Sequence, residues 1–141
     1  MDAARQKLID RAKELSIPTL PVDEMQDRIH EVCTECLIEA KVDVDRLLKH
    51  DDWRVRESAL EIVAWGLGAT DGIETSIELL THDPDEEVRA SASRALWEAS
   101  RGTPKQNRVS SAFQRVWESD ESDYVRESVS RYLLKFNERT D

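Results

Sequence analysis

Glycine and proline are scarce in this 141-residue chain, with four of each, and aromatic residues make up only 6% of it. So few breakers argue against a turn-rich β architecture, and no stretch alternates apolar and polar residues with a period of two. The breakers fall at the ends of stretches with helical spacing or in the loops between them. Cysteine is limited to Cys33 and Cys36, too few for a disulfide framework. No apolar run approaches the roughly 20 residues of a membrane span, and Met1-Asp2-Ala3-Ala4-Arg5 is amphipathic rather than a signal peptide. The expected setting is therefore cytoplasmic, away from membranes. Apolar residues are 39% of the chain and many are alanine, so the core must come from close approach of helices more than from bulk. Positive charge is in deficit, with 20 Lys and Arg against 30 Asp and Glu, a net charge of −10. A field of that sign repels nucleic acid and anionic membrane, keeps the chain soluble and favours a basic partner.

What the chain does contain is a helix start that recurs. In Asp83-Pro84-Asp85-Glu86-Glu87-Val88-Arg89, Asp83 is placed to cap the first amides, Pro84 suits the first helical position and Glu86 can complete a capping box. Asp51-Asp52-Trp53-Arg54-Val55-Arg56 precedes it and Asp120-Glu121-Ser122-Asp123-Tyr124-Val125-Arg126 follows it, so a Val-Arg pair returns at 55, 88 and 125. The acid-to-Val spacing is one residue shorter in the first copy, which predicts a distorted turn there.

Taken in order, residues 2–15 place Ala4, Leu8, Ile9, Ala12 and Leu15 at helical spacing and end in Ser16-Ile17-Pro18-Thr19-Leu20-Pro21. From Val22 to Ala40, Met25, Ile29, Val32, Cys33, Cys36, Leu37 and Ala40 form a broad stripe that predicts one long helix. Asp43 to Lys49 is a short helix, and the next runs from the first signature to Gly66-Leu67-Gly68. Asp71-Gly72-Ile73-Glu74 and Thr103-Pro104-Lys105-Gln106 carry capping logic ahead of two further helices. In the second of these, Val109, Phe113, Val116 and Trp117 read as core. The last helix, 121–137, buries Val125, Val129, Tyr132, Leu133 and Phe136. The fold class is all-α, a short α-solenoid of about four antiparallel helix pairs: a divergent first pair or cap over 1–41, then units over 42–68, 69–102 and 103–141.

An acidic turn followed by Val-Arg and an Ala-rich run resembles the HEAT-like (PBS lyase-type HEAT) family of tandem helix pairs. The resemblance implies an architecture and a class of activity, binding along a surface. Some HEAT-like proteins are metal-dependent hydroxylases with several His-Glu pairs, but here only His30-Glu31 qualifies, since His50 and His82 are followed by Asp51 and Asp83. Others act on damaged DNA from a basic face, which the charge balance opposes. Arg56, Arg89 and Arg126 sit about 100° from the core-facing valines, where they can meet Asp52, Asp85 or Asp123 of a neighbouring unit, and the resemblance implies that such a ladder is structural.

Cys33-x-x-Cys36 is the most tempting local pattern. Half of a zinc site needs two more ligands in closed geometry, and a redox dithiol usually follows a strand. Neither context is present, so the cysteines read as core packing, with no metal, cofactor or catalytic group assigned.

Candidate binding residues lie on the other face of the signature helices. Aligning the Val-Arg pairs superposes Glu57 with Ala90 and Glu127, Glu61 with Arg94 and Arg131, Ala64 with Trp97 and Leu134, and Trp65 with Glu98 and Lys135. Trp97 lies about 180° from Val88, where it is either an exposed anchor of the kind that carries interface energy or packs under the neighbouring unit. The expected activity is non-enzymatic binding of a protein with a basic surface through Glu57, Glu61, Trp65, Arg94, Trp97, Glu98, Glu127 and Arg131. Two alternatives are an acidic immunity protein that neutralises a basic toxin, and a metal-dependent or lyase-type enzyme whose ligands the sequence does not supply.

Overall fold

Each Val-Arg pair lies three residues after the residue that starts its helix. Asp52 precedes α5 (Trp53–Ala64) and accepts from the Arg54 amide, while Asp85 precedes α7 (Glu86–Ser100) and accepts from the Glu87 amide. Ser122 precedes α9 (Asp123–Glu138), and its hydroxyl accepts from the Val125 amide at 3.3 Å. The first turn is thus in register with the other two, not distorted. In place of the missing acid, His50 Nδ1 accepts from the Asp52 amide at 3.0 Å, as Asp83 Oδ1 does from Asp85 and Asp120 Oδ1 from Ser122, both at 2.9 Å.

The computed structural model describes residues 2–65 and 72–138. Ahead of α5 come α1 (Ala3–Lys13) with a 3-10 turn at Glu14–Ser16, α2 (Val22–Glu31), α3 (Thr34–Glu39) and α4 (Val44–Leu48). Between the signature helices lie α6 (Ile73–His82) and α8 (Gln106–Ser119). Among the described residues there is no strand, and no helix is long and apolar enough to cross a membrane. Gly66-Leu67-Gly68 and Asp71 fall outside the described residues. The expected box before α8 is displaced by one residue: Gln106 Oε1 accepts from the Gly102 amide at 2.8 Å.

Several sequence expectations need correction. Asp83 does not cap α7, which starts at Glu86, because its carboxylate is held by Arg56 and the Asp85 amide. The predicted helix over 22–40 is broken, with Val32 and Cys33 both extended at ψ 150° and 163°. Met25, Ile29, Val32, Cys36 and Leu37 all remain buried, so the apolar spacing carried no sign of the break. The two halves serve different neighbours, α2 packing on α5 and α3 on α1, and β-branched Val32 and Thr34 flank the junction where helix propensity is weak. Cys33 is left exposed. Trp117 is 48% exposed: Leu80, three residues ahead of the equivalent aspartate, is fully buried, but no described element covers that flank of α8. Ala4 is exposed as well.

Packing makes two rows. α2, α5, α7 and α9 form one, each touching the next, and α4, α6 and α8 form the other, each packed on the signature helix that follows it. One continuous core runs from Ile9 to Phe136. Val55, Val88 and Val125 are fully buried at its repeating centre, a burial that contributes about 1.5 to 3 kcal/mol each.

The arginines that follow these valines join successive units. Arg56 on α5 makes a two-pronged pair with Asp83 at 2.7 and 3.0 Å, and Arg89 on α7 makes one with Asp120 at 3.0 and 3.3 Å. The partner is the aspartate that opens the next signature turn, not Asp52, Asp85 or Asp123 as the repeat pattern suggested. Arg126 pairs with Asp123 of its own helix instead.

Candidate functional site

A serine stands three residues after each signature valine, at 58, 91 and 128. Helical geometry puts that position on the same side as the valine but turned towards the preceding helix of the row. Ser58 accepts from Gln26 on α2 at 3.3 Å, Ser91 donates to Glu57 on α5 at 3.1 Å, and the Ser128 hydroxyl meets that of Ser93 on α7 at 2.6 Å. These serines tie each row helix to the one before it.

Between α5 and α7 lies an open groove of about 580 Å3, lined by Glu57, Leu60, Glu61, Ala64 and Trp65 from one side and Ser91, Arg94, Ala95 and Glu98 from the other. The exposed stripe of α7 is narrow. Ser91, Arg94, Glu98 and Arg101 recur at alternating three- and four-residue intervals, while Ala90, Ala92, Ser93, Ala95, Leu96 and Trp97 are buried. The structure thus brings together Glu57, Glu61, Trp65, Arg94 and Glu98 of the residues singled out in the sequence. Glu127 and Arg131 are exposed one helix further along, on α9, and do not line the groove.

Trp97 is not an exposed anchor. It is 5% exposed, stacks on Tyr132 with ring centroids 5.7 Å apart and meets Phe136 edge-on at 4.7 Å. The side of α7 opposite Val88 is not a solvent face, because α9 packs there. Trp65 is the aromatic left at the surface of the groove, 43% exposed.

Charge in the groove is unbalanced. Burial pushes the Glu57 carboxyl above its ordinary 4.5, and Glu87, Asp85 and Glu61 add to the rise against the opposing hydrogen bond from Ser91. Glu61 has a neighbour across the row, His30 Nε2 at 2.9 Å, and Glu98 pairs with Arg101 at 3.2 Å. Arg94 forms no ion pair among the described residues. Such a surface offers three carboxylates, one guanidinium fork and an aromatic face.

A family model for HEAT repeats matches residues 43–133, well over half of the chain. The chain belongs to the HEAT-repeat family. Searches of curated proteins and of solved structures each returned no significant match. The matched span of this HEAT-repeat chain takes in α4 to α8 and most of α9, so it contains both walls of the groove. Ala64 was on the aligned face, whereas Leu60, Ser91 and Ala95 of the groove were not placed there by the sequence, nor was His30 beside it. The recurring serine was a usable signal, since it holds the same register in all three signatures; nothing in the sequence placed His30 next to Glu61.

Proposed function

We propose that this HEAT-repeat chain is a non-enzymatic protein-binding module whose groove between α5 and α7 receives a basic segment of its partner. The observation that carries this reading is the convergence of Glu57, Glu61 and Glu98 around a groove in which Glu57 is held partly desolvated among like charges. A lysine or arginine entering there relieves that repulsion, and the desolvated setting strengthens the attraction relative to an open surface. Trp65 gives the stem of a long basic side chain, or an apolar neighbour, a face to lie on. Arg94 can take a backbone carbonyl or carboxylate of the same segment and fix its direction. HEAT repeats generally mediate protein interactions, and a net charge of −10 opposes nucleic acid as the ligand.

The test compares affinity capture by the wild type and by Glu61→Arg from the same extract, followed by titration of an isotope-labelled sample with a lysine-rich peptide. Proteins retained only by the wild type, and amide shifts confined to residues around Glu57, Glu61, Arg94 and Glu98, are expected. Equal capture by both forms, with shifts elsewhere or none, would move the binding face away from this groove.

A further inference from the structure

We propose that Cys33 and Cys36 form a dithiol site that exchanges with low-molecular-weight disulfides of the glutathione class. The break between α2 and α3 creates the arrangement. Cys33 sits at that junction in extended conformation with its side chain in solvent, and Cys36 is 1% exposed one turn into α3. Their sulphurs are 3.1 Å apart, whereas a disulfide holds them at about 2.05 Å, so little movement separates the dithiol from the bond. No His, Asp or Glu joins the two sulphurs in a group of three able to hold a metal among the described residues.

The two thiols are inequivalent, and the asymmetry assigns their roles. Hydrogen bonding with Cys36 pulls the Cys33 thiol below its ordinary 9.0, while the same contact and then burial push Cys36 above it. The exposed Cys33 thiolate therefore attacks one sulphur of a disulfide RS–SR. A Cys33–SR bond forms, the RS–SR bond breaks, and one RS− leaves and takes up a proton from water. Cys36 then gives up its proton and attacks the Cys33 sulphur, forming the Cys33–Cys36 bond and expelling the second RS−, which is protonated in turn. Two electrons pass from the dithiol to the small disulfide, which ends as two thiols. Burial protects Cys36 from direct attack and holds it for the second step. This chemistry is independent of the groove, since it requires neither Glu61 nor Trp65.

The test uses the full chain, incubated with mixtures of oxidised and reduced glutathione, quenched in acid and weighed by mass spectrometry with peptide mapping. The wild type should lose two hydrogens and both alkylatable thiols. Cys36→Ser should stop with one glutathionyl group on Cys33, and Cys33→Ser, folded by circular dichroism, should react at least roughly tenfold more slowly. Should Cys36→Ser not fold, early quenching of the wild type should trap the same glutathionyl group on Cys33. A wild type that accumulates that mixed disulfide without resolving it, or that does not react, would overturn the proposal. So would Cys33→Ser reacting as fast as the wild type.

Discussion

Arg56 holds Asp83 with two hydrogen bonds, at 2.7 and 3.0 Å, and a third runs from its other terminal nitrogen to the His50 carbonyl at 2.9 Å. One guanidinium thus ties the start of α5 to the turn that starts α7. The side chains are 12% and 1% exposed, so removing either partner leaves a buried charge uncompensated. Arg56→Ala or Asp83→Ala should cost about 3 to 5 kcal/mol, with the double change costing much less than the sum. Arg126, whose side chain is 42% exposed and which pairs within its own helix, should cost about 0 to 1 kcal/mol when changed to Ala. Urea unfolding of the four variants checks both. Equal losses at Arg56 and Arg126 would mean that the inter-unit pair contributes nothing special.

Backbone strain gives an opposite pair of effects. Lys41 ends α3 in the left-handed region at φ +55°, with its amide donating to Ile38 and the Val42 amide to Leu37. A side chain there costs about 1 kcal/mol, so Lys41→Gly should stabilise by roughly that amount. Gly72 is at φ +85° with a new Cβ placed 3.2 Å from Val63 Cγ2, and Gly102 is at φ +73° with open space around it. Gly72→Ala should therefore be the more damaging of the two, as thermal melts would register. A stabilising Gly72→Ala would contradict the geometry.

Acid sensitivity has one readable source in the first signature turn. Hydrogen bonds from the Arg54 side chain and then from its amide hold the Asp52 carboxyl at about 2, against an ordinary 3.8. A depressed value in the folded state means stability that is present above 3.8 and is lost as pH falls towards 2. Because the pair is largely solvent-exposed, the effect is small. Asp52→Asn should flatten the stability curve in that window and leave its shape above pH 5 unchanged. A difference confined to neutral pH would rule the mechanism out.

Much of this organisation could be read from one register. The returning Val-Arg pair located α5, α7 and α9, and residues counted from it, Glu57, Glu61, Arg94 and Glu98, face one another across a groove because helices in a row repeat the same face. Counting failed where neighbours differed. Trp97 lies opposite Val88, yet α9 closes over it, and Trp117 continues a core stripe on a helix whose far flank nothing described covers. The break at Val32 and Cys33 was hidden because the burial pattern runs through it unbroken. Asp83 resembled a cap and serves as an anchor for Arg56, a choice decided by a residue 27 positions earlier.

The two tryptophans of the signature faces should separate fold from binding. Trp97→Ala removes an aromatic packed on Tyr132 and Phe136 and should cost about 3 to 5 kcal/mol of stability. Trp65→Ala should leave the melting temperature nearly unchanged. If Trp65→Ala instead unfolds the chain while Trp97→Ala is benign, the assignment of surface and core aromatics is reversed.

Binding of a basic segment in the groove should strengthen as pH rises through the titration of Glu57. Its carboxyl is raised above 4.5 chiefly by burial, so at mildly acid pH part of the population is neutral and offers a cation nothing. A bound lysine or arginine favours the ionised form, and by linkage association takes a proton off Glu57 at pH values where the free protein still carries it. Glu57→Gln should abolish that pH dependence and weaken binding at neutral pH, mainly through slower association at low salt. Trp65→Ala should cost about 2 kcal/mol if the ring anchors the segment, expressed as faster dissociation. Surface-resonance or calorimetric titrations between pH 4.5 and 7.5 measure all of these. A Glu57→Gln protein that keeps the wild-type pH profile would locate the titrating group, and the basic segment with it, outside the α5 and α7 groove.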